Sequence, residues 1–273
     1  MRPFFHGKKI LMKHSIFSLA LAATLLSAVP AFAQWQITGD AGLRYVRNTE
    51  TGTGGKRLVR EDGWLPGLGV TVGYVAGDWR VGMAGEIYSS DIDYDGQLQS
   101  GASFRTNTGT TQTRLRFDMG RQVTQNVQLL AAIEYDLWRR DIHGNATVLG
   151  IQEKTSSWRL LTGAKGRVAQ WDAGTLDLQG FLVFSTAEQL RVRFDQQVYD
   201  DANFHTKSTL GVRLGATFQP SALPDFSVTA EFDWLEVGRS DDAVLRKNGM
   251  AVGTVTQPKH ERASFGLRAA YRF

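Results

Sequence analysis

The chain closes on Arg262-Ala-Ser-Phe-Gly-Leu-Arg-Ala-Ala-Tyr-Arg-Phe273. Ala263, Phe265, Leu267, Ala269, Tyr271 and Phe273 fall on one parity, and Ser264, Gly266, Arg268, Ala270 and Arg272 on the other. A β-strand repeats its side-chain direction every two residues, so this segment has one apolar face and one small or cationic face. Such a strand suits a position between lipid and water. A strand of a soluble sandwich shares the alternation, so the rest of the chain has to decide.

The pattern recurs in segments 35–45, 68–74, 79–87, 113–119, 127–137, 158–168, 176–184, 210–218 and 226–234. With the closing segment this predicts an all-β fold, a transmembrane antiparallel β-barrel of about ten strands, an even number as bacterial barrels have. The opposite parity is small or polar. It carries Gly67, Gly69, Thr71 and Gly73 in one segment, and Arg114, Arg116 and Asp118 in another. Glu134, Asp136, Arg159, Lys165, Arg167, Arg213, Thr229, Glu231 and Asp233 continue it. Both signs are present, which predicts a lumen of paired charges rather than a charged pore. Connections at 75–78, 120–126, 169–174 and 219–225 are short and carry turn residues, whereas those near 47–63, 88–106, 139–156, 187–207 and 237–260 are long and polar. Short periplasmic turns and long extracellular loops are the barrel arrangement, with both termini in the periplasm. Trp35, Tyr74, Trp79, Trp171, Phe218, Phe226 and Phe273 would mark the periplasmic rim, and Tyr45, Trp64, Tyr135, Trp158, Phe184 and Trp234 the outer one. A lipocalin-like barrel would turn the apolar parity inward. The larger apolar side chains and the aromatic rims favour the membrane form.

The N-terminus supports export. Lys8, Lys9 and Lys13 precede an apolar run over 16–29, and Ala31-Phe32-Ala33 ends it with small residues where a signal peptidase reads. Residues 1–33 are expected to be a signal peptide and 34–273 the single barrel domain. Met12 begins a more ordinary signal than Met1. The net charge of +4 resides in the presequence: Arg2, Lys8, Lys9 and Lys13 face no acid there, and the remainder carries 27 residues of each sign. Nothing in that balance supports nucleic-acid binding. Cysteine is absent, which excludes thiol catalysis and Cys-ligated metal. No Gly-rich phosphate loop, metal-ligand spacing or cofactor fingerprint occurs, so no cofactor is expected.

The C-terminal ending on Phe273 resembles the closing strand of bacterial outer-membrane barrels. That implies recognition of this strand by the outer-membrane assembly machinery and residence in the outer membrane, among its lipid and lipopolysaccharide. Ten strands and five long connections further resemble the omptins, outer-membrane aspartate/histidine endopeptidases. The likeness is carried by Val228-Thr-Ala-Glu-Phe-Asp-Trp, by the last strand ending Tyr-Arg-Phe, and by Asp91-Ile92-Asp93-Tyr94 in the second long connection. It implies a peptide substrate, hydrolysed by an oriented water without a covalent intermediate. Asp91 and Asp93 would orient the water, His205 would be the base, and Asp201 would orient His205. Two departures stand out. His205 follows Asp201 by four residues, where the family has one residue between its His–Asp pair. Asp141-Ile142-His143 has the family spacing but lies in the third long connection. Asp91 and Asp93 also fall on the outward parity, so a bulge would be needed to aim them at a cleft.

The alternative is a non-enzymatic structural, adhesive or ligand-binding barrel, its loop carboxylates and histidines merely solvated. A lipid-modifying hydrolase would need an activated serine, and nothing in the sequence orients Ser89 or Ser90. A diffusion pore is disfavoured, because a barrel of this size is filled by its own side chains.

Overall fold

The computed structural model describes residues 33–98 and 101–273, so the expected signal segment and the choice between Met1 and Met12 lie outside the described residues. Ten strands make a ring: β1 (Ala33–Thr51), β2 (Arg57–Ala76), β3 (Trp79–Gln97), β4 (Ser103–Thr124), β5 (Val127–Ile142), β6 (Ile151–Trp171), β7 (Gly174–Ser185), β10 (Thr209–Pro220), β11 (Phe226–Val237) and β14 (Lys259–Arg272). Each pairs antiparallel with its neighbours, and β5–β6 pairing completes a circuit otherwise ordered β5-β4-β3-β2-β1-β14-β11-β10-β7-β6. Two hairpins sit in the fourth and fifth long connections: β8 (Gln189–Phe194) with β9 (Ala202–His205), and β12 (Ala243–Lys247) with β13 (Met250–Val255).

The seam joins the chain ends. Gly39 lies opposite Tyr271 and Tyr45 opposite Phe265, and the Phe273 amide donates to the Ile37 carbonyl at 2.8 Å. Closure leaves no free strand edge in lipid, where each unpaired backbone group would cost several kcal/mol. The parity is as the sequence predicts. Leu68, Met83, Leu115, Leu160, Leu182 and Leu214 are exposed on the outer wall. Aromatic pairs mark the two rims: Trp35–Tyr74 and Trp171–Phe218 on one, Tyr45–Trp64 and Tyr135–Trp158 on the other. Between these belts lies the membrane span.

Inside the span the lumen is closed by ion pairs. Arg213 reaches Glu134 at 2.8 Å and Asp233 at 2.6 Å, Arg114 and Arg159 both reach Asp136 at 2.9 Å, and Arg44 reaches Glu86 at 2.6 Å. Small residues allow strands to approach. A Cβ on Gly163 would collide with the Gly180 carbonyl oxygen of the next strand.

The long polar connections prove largely extended. β1, β2, β3, β4, β5 and β6 run on past the outer belt, which leaves tips of 52–56, 98–102 and 143–150. In this crown the solvent on the outside is water, and the face preference changes. Val46, Leu65, Tyr88, Ile92 and Trp138 point inward and form a buried cluster. Above them the two hairpins pack together. Leu190, Val192, Ala202 and Phe204 form a second cluster, against which Ala243 and Val255 lie. The Asp200 carboxylate accepts the Asn248 and Gly249 amides at 3.1 and 2.8 Å. The β12–β13 turn needs Asn248 and Gly249 at φ of 51° and 78°, the left-handed region that Asn and Gly tolerate.

Candidate functional site in the extracellular crown

The crown offers an interior and an outer wall. The interior is filled. Outside the span, Arg140 is held by Glu153 at 2.6 Å, Glu61 at 2.7 Å and Glu50 at 3.3 Å. Burial lifts the Glu153 carboxyl above its ordinary value; Arg140 opposes this, and the Glu50 and Glu61 carboxylates add to the lift. Nearby, Glu188 accepts from Arg262 at 2.6 Å and lies 3.1 Å from His260 Nε2. Burial pushes the Glu188 carboxyl up, but Arg262 and His260 outweigh it and hold the group at about 2. The Arg262 guanidinium also lies 4.8 Å from the Trp138 ring centre. These groups neutralise one another beneath the hairpins. The sequence offered a faint signal for them: His260 and Arg262 share the inward parity of the closing strand.

The residues singled out from sequence all lie on the outer wall. β3 pairs with β4 without a register shift from Trp79 to Gln97, so no bulge turns Asp91 or Asp93 inward, and both remain exposed. Asp201 and His205 are exposed too, with Asn203 between them on the same face. Four residues of strand separate them by about 13 Å, beyond hydrogen-bonding reach. Asp201 instead takes a two-pronged bond from Arg191, at 3.0 Å from Nε and 2.6 Å from Nη2. From β3 to β9 the sheet passes through β4, β5, β6 and β8, five spacings or roughly 24 Å. His205 therefore does not meet Asp91 or Asp93 across a cleft.

Another set does converge. Asp91 pairs with Gly109, and Gly109 with Asp141. The His143 amide donates to the Asn107 carbonyl at 3.0 Å, which keeps its side chain beside β4. With no side chain at Gly109, a notch remains. A Cβ there would lie 3.4 Å from Asp91 Oδ1, 3.6 Å from Asp141 Cβ and 3.7 Å from His143 Nε2. This notch opens one end of a groove of about 810 Å³ across β3, β4, β5, β6 and β8. Its other end is basic, with Arg139, Lys154, Arg191 and Arg193. The basic residues were hidden in sequence because 139–156 and 187–207 read as loops. Once those segments are strands, Arg191-Val192-Arg193 is an alternation with two cations outward. Among the described residues no cluster of three or more His, Asp or Glu side chains is arranged to hold a metal ion.

No protein-family model matches the chain. No curated protein matches it either. Solved structures do. The outer membrane protease OmpT from Escherichia coli superposes with a TM-score of 0.54 at 12% identity, over 87% of this chain and 97% of that one. The fold is that of an outer-membrane β-barrel. Also similar are the translocator domain of the autotransporter NalP from Neisseria meningitidis, with a TM-score of 0.46 at 12% identity over 93% of each chain, and the attachment invasion locus protein Ail of Yersinia pestis, with a TM-score of 0.37 at 11% identity over 88% of this chain and 99% of that one. At these identities the likeness concerns the fold.

Proposed function

We propose that this chain is a bacterial outer-membrane barrel that binds an extracellular ligand on the outer wall of its crown. The observation that carries this is the groove beside Gly109, an open concavity of about 810 Å³ with convergent polar groups, set on rigid strands above the belt. The filled crown interior supports it too. Arg140 and Arg262 are each paired with carboxylates at 2.6–2.7 Å, which leaves little to engage a substrate from within.

An omptin-like surface endopeptidase is the second reading, and one observation favours a version of it. Asp91 Oδ1 and His143 Nε2 face one notch from two sides, the geometry in which a carboxylate orients a water and an imidazole takes its proton. In this version Asp141 and His143 take the roles first given to Asp201 and His205, and Asp93, which lines a separate concavity with Arg57 and Arg60, takes no part. Refolded protein offered a peptide library separates the two. No cleavage by native protein is expected. Cleavage abolished by both Asp91→Ala and His143→Ala would replace the binding reading with the hydrolytic one.

A further inference from the structure

The basic end of the groove is built against the ordinary rules of sheet stability. Arg139 on β5 lies directly opposite Lys154 on β6, and Lys154 lies directly opposite Arg191 on β8. Side chains so paired stand roughly 5 Å apart, and like charges there repel. Arg193 adds a fourth cation two residues farther along β8, opposite Gln152. Only Arg191 has a carboxylate, that of Asp201. Among the described residues no acidic side chain pairs with Arg139, Lys154 or Arg193, and all three are exposed. Many arginines elsewhere find carboxylates, among them Arg44, Arg114 and Arg213 in the lumen, and the other unpaired ones do not face a second cation across a strand pair. A row of three cations across three adjacent strands, largely uncompensated, is therefore a surface awaiting negative charge.

Height and direction narrow the partner. Arg139 lies four residues beyond Tyr135 of the belt, and Lys154 four residues beyond Trp158. Four residues of tilted strand raise the row by roughly 10 Å. That is above the layer where phospholipid headgroup phosphates sit, which favours a ligand from outside the bilayer. The row crosses the strands, so its ligand lies along the wall of the crown rather than rising with it. Cations at intervals of roughly 5 Å match a chain carrying about one anionic group per sugar.

We infer that the Arg139–Lys154–Arg191 row binds a linear sulfated polysaccharide supplied from outside the cell. This rests on the ligand-binding reading and specifies its chemistry. Sulfates would bridge neighbouring cations and relieve their repulsion, with Arg193 gripping a group beside the row. The uncharged notch at Gly109 and the acidic side chains of Asp91 and Asp141 would bound the chain on the other side.

The test uses refolded full-length mature protein in zwitterionic detergent, free of lipopolysaccharide. Fluorescence anisotropy would follow a labelled sulfated hexasaccharide, with unsulfated dextran and lipopolysaccharide-containing vesicles in parallel. The native protein should bind the sulfated chain, ignore dextran, and weaken steadily as salt rises. The triple variant R139Q/K154Q/R193Q should bind at least tenfold more weakly and keep its heat-modifiable migration. A second measurement separates a binding surface from a merely structural one. Lys154→Gln alone should raise the thermal midpoint of the ligand-free protein, because two like-charge pairs vanish, while it weakens binding. A triple variant that binds as tightly as the native protein would overturn the site and leave the binding reading standing. Failure of native protein to bind the soluble chain, or binding confined to the vesicles, would overturn the inferred ligand. Peptide cleavage that depends on Asp91 and His143 would instead overturn the reading on which it rests.

Discussion

The membrane span and the crown are made of the same strands, with the same parity, in different solvents. Along β1, Leu43 points into lipid and Arg44 into the lumen, while two residues farther on Val46 points into the crown core and Arg47 into water. Along β5, Ile133 and Glu134 are followed by Trp138 buried and Arg139 exposed. The backbone does not change; the cheaper place for apolar surface does. In the span a polar side chain must find a partner inside, so Arg213, Glu134 and Asp233 lock together. In the crown water accepts charge outside, and the interior can be apolar at one level and ionic at the next. This explains why the outer wall of the crown is free to carry function. Exposed to water, it is a surface on which unpaired charge costs little.

The comparison breaks most visibly where a buried charge loses its partner. Arg213→Ala leaves Glu134 short of its main cation and Asp233 with only the more distant Arg114, at 3.5 Å, in a closed lumen, and should cost about 3–5 kcal/mol. Urea-dependent loss of heat-modifiable migration would report it, and an unchanged midpoint would show that water fills the lumen. The next effect concerns the outer wall at two heights. Leu214→Arg in the span should cost about 2–4 kcal/mol. Asn107→Arg, on the same outer face in the crown, should stay within about 0.5 kcal/mol. Equal costs for the two would mean that the belt of Tyr135 and Trp158 has been placed at the wrong level.

That contrast also accounts for what the sequence disclosed. All ten spanning strands were legible, because lipid on one side and water on the other impose an unbroken alternation over seven or more residues. The ion-paired lumen was legible for the same reason: Arg114, Glu134 and Arg213 occupy the parity opposite the leucines. The crown was not, since the alternation continues there with its meaning inverted. Ile92 and Trp138 are inward although apolar, so the outward rule fails five residues after Ile87 and one residue after Leu137. The outward parity of Asp91 and Asp93 was legible, and the straight run of β3 leaves them there. The notch at Gly109 and the cation row depend on which strands are neighbours and in which register. Arg139, Lys154 and Arg191 are far apart in sequence and become a site only through β5–β6 and β6–β8 pairing.

A smaller effect belongs to the clasp between the hairpins, which the span has no counterpart for. Asp200→Ala removes the acceptor for two turn amides and should cost about 1–2 kcal/mol locally, with the ring of ten strands untouched. Limited proteolysis should then cut within 195–205 or 243–255 while migration on gels stays native. Resistance equal to that of the native protein would assign the clasp to the apolar contacts of Phe204 and Val255 instead.

The smallest expected effect is a pH dependence confined to the crown. Glu188 lies in the connection between β7 and β8, and folding lowers its carboxyl from 4.5 to about 2. A lowered carboxyl contributes its stability above its unfolded pKa and loses it as pH falls toward the folded one. The contribution is thus in full force above about pH 5 and fades between there and pH 2. As Glu188 becomes protonated, the buried Arg262 guanidinium and the His260 ring lose their common acceptor, and β14 loosens at its crown end first. Burial lifts Glu153 in the opposite sense. Its contribution is greatest in acid and declines as pH rises, so the two groups partly offset one another. Glu188→Gln isolates one of them. Amide exchange at residues 260–262 should accelerate below pH 4 in the native protein and show a flatter acid response in the variant, while exchange at span residues such as Leu214 should not depend on the substitution. An acid response that survives Glu188→Gln unchanged would transfer the sensitivity to the carboxylates around Arg140.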